Sequence, residues 1–396
     1  MMMELTAEEK DMLEGKHGKA ARKSMFLNVK LGEIYGAKKL IDVSSVQIAG
    51  VSYANLGEAG LEFLAEMAVD GTVRVLTTLN PAGMDIENWR TLGIPEDFAH
   101  NQERVIEAFA KMGIITTCTC TPYLIGNLPH YGEHIAWAES SAVCFSNSVL
   151  GARTNREGGP SALAAAITGK TAEYGYHLDE MRQPVITVDV KAGIRGTHVF
   201  GALGKVLGEK NGNKVSYITG IDKASTEELK SFCASIATYG GVALFHMENI
   251  TPEAAEMRVP EETITVTEDE IQNAIKSLDR AADEEIDFVS IGCPHCSIKE
   301  IAEIARLLEG KKVKKEVWIT TARPTKKTAD MMGYTKIIEE SGAKFACDTC
   351  CVVAPIKGKF KALLTDSAKG CFYGAGHNKF QTGFKSVEEA IEVALK

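Results

Sequence analysis

The stretch IDFVSIGCPHCSIKEIAEIARLL (residues 286–308) decides the fold class. It opens with a short β-rich apolar run, too brief for a buried helix. Ser297 and Glu300 then have the spacing of a capping box, in which the first and fourth side chains satisfy each other's orphan N–H groups, and apolar residues follow at helical period. Strand, turn and helix make one βα unit, and its turn carries Cys293 and Cys296.

The same pattern recurs along the chain. VRVLTTL (73–79), GIITTC (113–118), PVITVDV (184–190), KVSYITG (214–220), GVALFHM (241–247), EVWITT (316–321) and AKFACD (343–348) read as further strands, with helices between them. Four more capping boxes begin at Thr6, Ser225, Thr267 and Ser386. This alternation predicts an α/β protein of several packed lobes with mainly parallel sheets. With no low-complexity linker, residues 1–396 read as one module of closely packed lobes, the polar NGN at 211–213 marking a candidate lobe boundary and the acidic stretch 256–270 a second.

Composition narrows the function. The 396 residues, 45% apolar and 24% charged, are enough for a large core without covalent staples. A net charge of −9 argues against a non-specific grip on nucleic acid or anionic membrane. The N-terminal stretch MMMELTAEEKDMLEGKHGKA has no apolar signal region, and no run of about 18 apolar residues occurs, so a soluble cytoplasmic protein is expected.

Ten cysteines in such a protein point to metal binding or catalysis where they cluster: Cys118 with Cys120, Cys293 with Cys296, and Cys347 with Cys350 and Cys351. Cys144, Cys233 and Cys371 stand apart and read as small buried hydrophobes. Ligands of parallel α/β sheets bind beyond the carboxyl ends of strands, and three predicted strands end in these cysteine clusters, while VRVLTTL ends on Asn80-Pro81-Ala82-Gly83. Three thiolates from distant segments suit an iron–sulfur centre that keeps one iron open to substrate. A closed zinc site would need four ligands, typically two tight CxxC pairs, and only one clean CxxC is present. That motif, CPHC before a helix cap, supports a reading from another class, a thiol–disulfide oxidoreductase using Cys293 and Cys296. Arg153 and Asn155, in the polar strip 146–163, are candidates to hold a carboxylate or phosphate, against an ordinary arginine-rich surface loop. By spacing alone, Glu139 and Ser140 on a helix GEHIAWAESSAV (132–143), and Lys369 in TDSAKGCF (365–372), face solvent.

Taken together, TCTPYLIGNLPHYGEHIAWAESSAV, SNSVLGARTNREGGPSALAAAITG, GCPH, DTC-x-VVAP, NPAG and QIAGVSYANLGEAGLEF closely resemble the large, catalytic subunit of the aconitase X family, over residues 27–394. The resemblance implies an aconitase-like fold and a hydro-lyase whose iron–sulfur cluster is held by three cysteines. They fall on Cys120 of TCTPY, Cys293 of GCPH and Cys350 of DTC, with Cys351 the competitor for the third place. It places substrate contacts on Gly50, Val51 and Ser52 of AGVSY, Asn80 and Pro81 of NPAG, Glu139 and Ser140 of AESS, and Lys369, against the solvent-facing reading of Glu139 and Lys369. A [4Fe–4S] cluster is expected, although three cysteines can also hold a [2Fe–2S] cluster or a single iron. The family's archaeal type dehydrates (R)-5-phosphomevalonate to trans-anhydromevalonate 5-phosphate for isoprenoid synthesis, and a bacterial type dehydrates cis-3-hydroxy-L-proline. Without a fused swivelling domain the chain favours the archaeal type. Its small swivel-domain subunit, expected as a separate chain, would supply the general base, so this polypeptide alone is expected to be inactive.

Overall fold

The computed structural model describes residues 3–396, which build three α/β units in chain order. In the first, the strands Leu76–Leu79, Ser45–Ile48 and Ala136–Trp137 form a parallel sheet in that order, packed by the helices Tyr53–Met67, Glu96–Lys111 and Gly159–Thr168. The second has the four-stranded order Phe245–Met247, Ser216–Thr219, Ile186–Val190, Thr263–Val266, covered by Thr197–Asn211, Thr226–Gly240 and Glu268–Leu278. The third has the five-stranded order Lys344–Cys347, Glu316–Thr321, Phe288–Cys296, Ala362–Thr365, Gln381–Phe384. Every pairing in these sheets is parallel, while a short antiparallel ribbon, Leu40–Asp42 with Lys170–Ala172, closes the first unit. Strands of a parallel sheet covered on both faces are buried on both sides, and the interior strands Ser45–Ile48 and Ala362–Thr365 are buried at every residue.

All five capping boxes form, at Thr6, Ser225, Thr267, Ser297 and Ser386. Three local readings are corrected. GIITTC is not a strand: Ile115 makes one isolated bridge to Thr78 and stays exposed, and the chain then turns inward. GEHIAWAESSAV is not one helix, because Ala136–Trp137 pairs as the third strand of its sheet and the helix is Ser140–Ser148, with Glu139 as its N-cap. Apolar alternation in so short a segment does not separate strand from helix. CPHC is not a turn before a helix, since Cys293 and Cys296 both lie within the strand Phe288–Cys296. Asn211–Asn213 is the turn from the helix Thr197–Asn211 toward Ser216–Thr219, inside the second unit. Among the described residues no helix is long and apolar enough to cross a membrane.

Candidate active site

The first and third units meet carboxyl edge to carboxyl edge. Ser45–Ile48 runs into Gly50, Val51 and Ser52, Leu76–Leu79 into Asn80 and Pro81, and Ala136–Trp137 into Glu139 and Ser140. From the facing sheet, Phe288–Cys296 carries Cys293, Lys344–Cys347 runs into Cys350, and Ala362–Thr365 runs into Ser367 and Lys369. Direct bonds close the seam: Ala82 N–H donates to the Asp348 carbonyl at 2.8 Å, Ser52 Oγ to the Val353 carbonyl at 3.2 Å, and Lys369 pairs with Glu139. Each site residue therefore stands where a parallel sheet places ligand contacts. Gly50 has φ 79°, a left-handed conformation that favours glycine, and a Cβ there would meet open space. The Val51 side chain is buried in the first unit's core.

Glu139 is the electrostatic centre. One carboxylate oxygen takes Lys369 Nζ, Ser141 Oγ at 3.0 Å and Ser140 Oγ at 3.4 Å, and the other takes Asn80 Nδ2 at 2.9 Å. Burial opposes its ionisation, yet the Lys369 cation and these hydrogen bonds outweigh burial and hold the carboxyl at about 2. Burial likewise opposes the charge on Lys369, and the Glu139 carboxylate reverses it, raising the ammonium above its ordinary value. Among the described residues Glu139 is the one hydrogen-bond partner of Lys369 Nζ, and the buried Asn80 Oδ1 has none. Both face an open requirement for polar partners.

The ten cysteines divide cleanly. Seven lie in apolar cores: Cys144, Cys233 and Cys371 in the second unit's core, Cys118 in the first, Cys296 and Cys347 in the third, and Cys351 in a cluster with Trp89 and Trp318. Cys120, Cys293 and Cys350 belong to none. Each is instead set among polar groups. His295 N–H donates to Cys120 Sγ at 3.3 Å, the Lys369 cation favours the thiolates of both Cys120 and Cys293, and Cys293 in turn bears on Cys350. Burial pushes the Cys293 thiol up while Lys369 and Ser367 pull it back toward the thiolate that metal binding requires. This donor set, three sulfurs with hydrogen-bond donors and a cation beside them, fits an iron–sulfur group. Among the described residues no three His, Cys, Asp or Glu side chains are close enough to ligate one ion, whereas a polynuclear cluster takes its cysteines on different irons.

Models of the aconitase X first, second and third domains match residues 2–180, 184–276 and 286–396, the same stretches as the three sheet units. The chain belongs to the aconitase X family. The phosphomevalonate dehydratase large subunit of Methanocaldococcus jannaschii is 48% identical over 405 residues, covering 98% of this chain and 100% of that protein. The cis-3-hydroxy-L-proline dehydratase of Pseudomonas aeruginosa is 33% identical over 406 residues, covering 99% of this chain and 70% of that protein. The crystal structure of Thermococcus kodakaraensis aconitase X in its holo-form matches with a TM-score of 0.93 at 45% identity, over 99% of this chain and 100% of that one.

Within this aconitase X chain the redox reading of CPHC fails on geometry. Cys293 faces the site half-buried, but Cys296 points into the third unit's core, where burial pushes its thiol far up, opposite to the activated thiolate of an exchange pair. Arg153 and Asn155 are also spent elsewhere: Arg153 pairs with Asp179 at 2.5 Å and bonds the His177 carbonyl, and Asn155 pins the backbone at Tyr174 and Tyr176. Three residues not singled out by the sequence organise the site. Gln102, fully buried, bonds Val51 O, Tyr53 N and Gly83 N, each at 2.9 Å, and so ties the AGVSY turn to the NPAG turn. Arg323 joins Asp85 and Asp348 across the seam, holding the loop that leads to Cys350. His295 lies between the cysteine loops. Its place in GCPH was visible, but partners at Thr119 and Thr349 cannot be read from local sequence.

Proposed function

We propose that this chain is the large, catalytic subunit of a two-chain hydro-lyase that removes water from (R)-5-phosphomevalonate to give trans-anhydromevalonate 5-phosphate. The observation that carries the reading is the incompletely satisfied Lys369–Glu139 pair beside the three cysteines left outside every apolar core. Relatives bearing that name support the substrate, and the large-subunit designation supports a separate small partner.

Cys120, Cys293 and Cys350 would hold an iron–sulfur cluster, [4Fe–4S] being the form proposed, which when bound supplies a Lewis acid for the carboxylate and departing hydroxyl of a 3-hydroxy acid. The chain's own residues bind and orient. Lys369 has two N–H hydrogens left for an anionic oxygen of the substrate, and Asn80 Oδ1 can accept from a substrate hydroxyl. The chain turns at Gly50–Ser52 into a helical segment that has no side-chain cap and is broken at Gly57, so the backbone N–H groups of Gly50–Ser52, rather than a long helix dipole, suit the phosphate. Pro81 and Ser140 flank these groups and fix the approach. Glu139, held ionised at about 2, is too weak a base to take the proton alpha to a carboxylate and instead fixes Lys369 and Asn80. The base is therefore assigned to the partner, a small swivel-domain subunit, as a serine.

The test is turnover by the anaerobically prepared pair of chains. Dehydration of 5-phosphomevalonate is expected, with iron–sulfur absorbance and activity both lost in Cys120→Ala. Turnover of cis-3-hydroxy-L-proline instead would overturn the substrate, and full activity of the large chain alone would overturn the assignment of the base.

A further inference from the structure

A fully buried imidazole lies at the centre of the cysteine loops without a part in the chemistry described above. His295 is 0% exposed and follows Cys293 by two residues in the strand Phe288–Cys296. Its Nε2 is 2.9 Å from the Thr349 carbonyl, which can only accept, so Nε2 carries the hydrogen. Nδ1 then accepts from the Thr119 hydroxyl at 2.9 Å, and Thr119 Oγ1 in turn accepts from Thr121 N–H at 3.2 Å. Thr119 immediately precedes Cys120, and Thr349 immediately precedes Cys350. The His295 backbone N–H completes the set by donating to Cys120 Sγ. Lys230 grips the same residue from behind through the His295 carbonyl at 2.8 Å.

We propose that the His295 side chain is the positioning residue that sets the spacing of Cys120, Cys293 and Cys350, by joining the loops of the first and third to its own strand beside the second. This rests on the ligand roles assigned above. A buried imidazole is costly unless both nitrogens are bonded, and an apolar side chain of similar size would fill the space at no such cost. Packing alone therefore does not call for histidine here, whereas one donor and one acceptor fixed on opposite sides of a rigid ring hold two loops at a set separation. Partners that orient ligands from outside the coordination shell typically change metal affinity by about 10–100-fold when removed.

The experiment uses the full chain with its small subunit, as wild type, His295→Leu, His295→Gln and Thr119→Val. Two readouts run in parallel: iron retained per chain against a chelator after anaerobic loading with iron and sulfide, and site-resolved iodoacetamide labelling of the metal-free protein. In His295→Leu, iron retention is expected to fall about 10–100-fold, and Cys120 and Cys350 to label several-fold faster while Cys118 and Cys347 keep their rates. His295→Gln, which can still donate and accept, is expected to recover most of both, a rescue that a purely space-filling role would not give. Unchanged labelling in His295→Leu overturns the proposal whatever the iron does. Should wild type take up no iron while the labelling shifts, the cluster reading fails and the positioning role stands. If His295→Leu melts far below wild type, Thr119→Val leaves the imidazole in place, removes only the hydroxyl with its bonds to His295 Nδ1 and to Thr121, and must still speed labelling at Cys120; no change there overturns the proposal.

Discussion

Two buried lysines flank the GCPH strand, and they differ in one respect. Lys230, 2% exposed, spends its three protons on the carbonyls of Pro294 and His295 and on the Glu300 carboxylate. Lys369, 8% exposed, spends one, on Glu139. Both ammonium groups are kept charged against burial by their carboxylate partners. A saturated buried cation is a fastener, because nothing further can bind to it; an unsaturated one at a seam between sheets is a docking point for an anion. Burial and pairing alone do not tell the two apart, and the count of unused donors does.

The comparison can be broken at several strengths. Lys369→Met should cost the most, about 100–1,000-fold in turnover, as expected for loss of a preorganised donor, measured as kcat of the two-chain enzyme. Lys230→Met should instead cost stability, about 3–5 kcal/mol in denaturant melts, while the protein that remains folded turns over nearly as well. Equal effects of the two changes on turnover would erase the distinction. The next test is pH. Glu139 is depressed from an ordinary 4.5 to about 2, so its contribution of about 3 kcal/mol is fully present above 4.5 and is lost as pH falls through about 2. Acid melts of the metal-free chain should lose that slope in Glu139→Gln. The smallest effect belongs to Ser367→Ala. Ser367 caps the short helix Ala368–Tyr373 through Gly370 N–H at 3.0 Å, and its removal should cost about 1 kcal/mol and slightly lower iron retention, because Ser367 also favours the Cys293 thiolate.

The helix starts were legible because a capping box is a local device, complete within four residues, and each of the five formed. So were the strands with long β-branched runs, such as Ile186–Val190 and Glu316–Thr321. Ser45–Ile48, Ala362–Thr365 and Gln381–Phe384 escaped notice, whereas the equally short Leu76–Leu79 and Ser216–Thr219 were read because they lie in longer runs, VRVLTTL and KVSYITG. GIITTC misled in the other direction, since the chain leaves the sheet there to bring Cys120 inward. At the site, the motifs pointed to segments that the fold brings to one seam, but which cysteine faces polar groups and which faces the core is a tertiary fact. Cys350 and Cys351 are neighbours in sequence and part company only when Cys351 packs against the tryptophan cluster. Gln102 sits in an amphipathic helix like any other polar residue until its three partners are known.

The distribution of the three core-excluded cysteines also bears on how the molecule is made. Cys120 belongs to the first unit and Cys293 and Cys350 to the last, with the whole second unit synthesised between them. No nascent fragment holds the complete donor set. If those three are the ligands, iron can be captured only after synthesis has almost ended and the outer units have docked, so loading of the metal reports a finished chain.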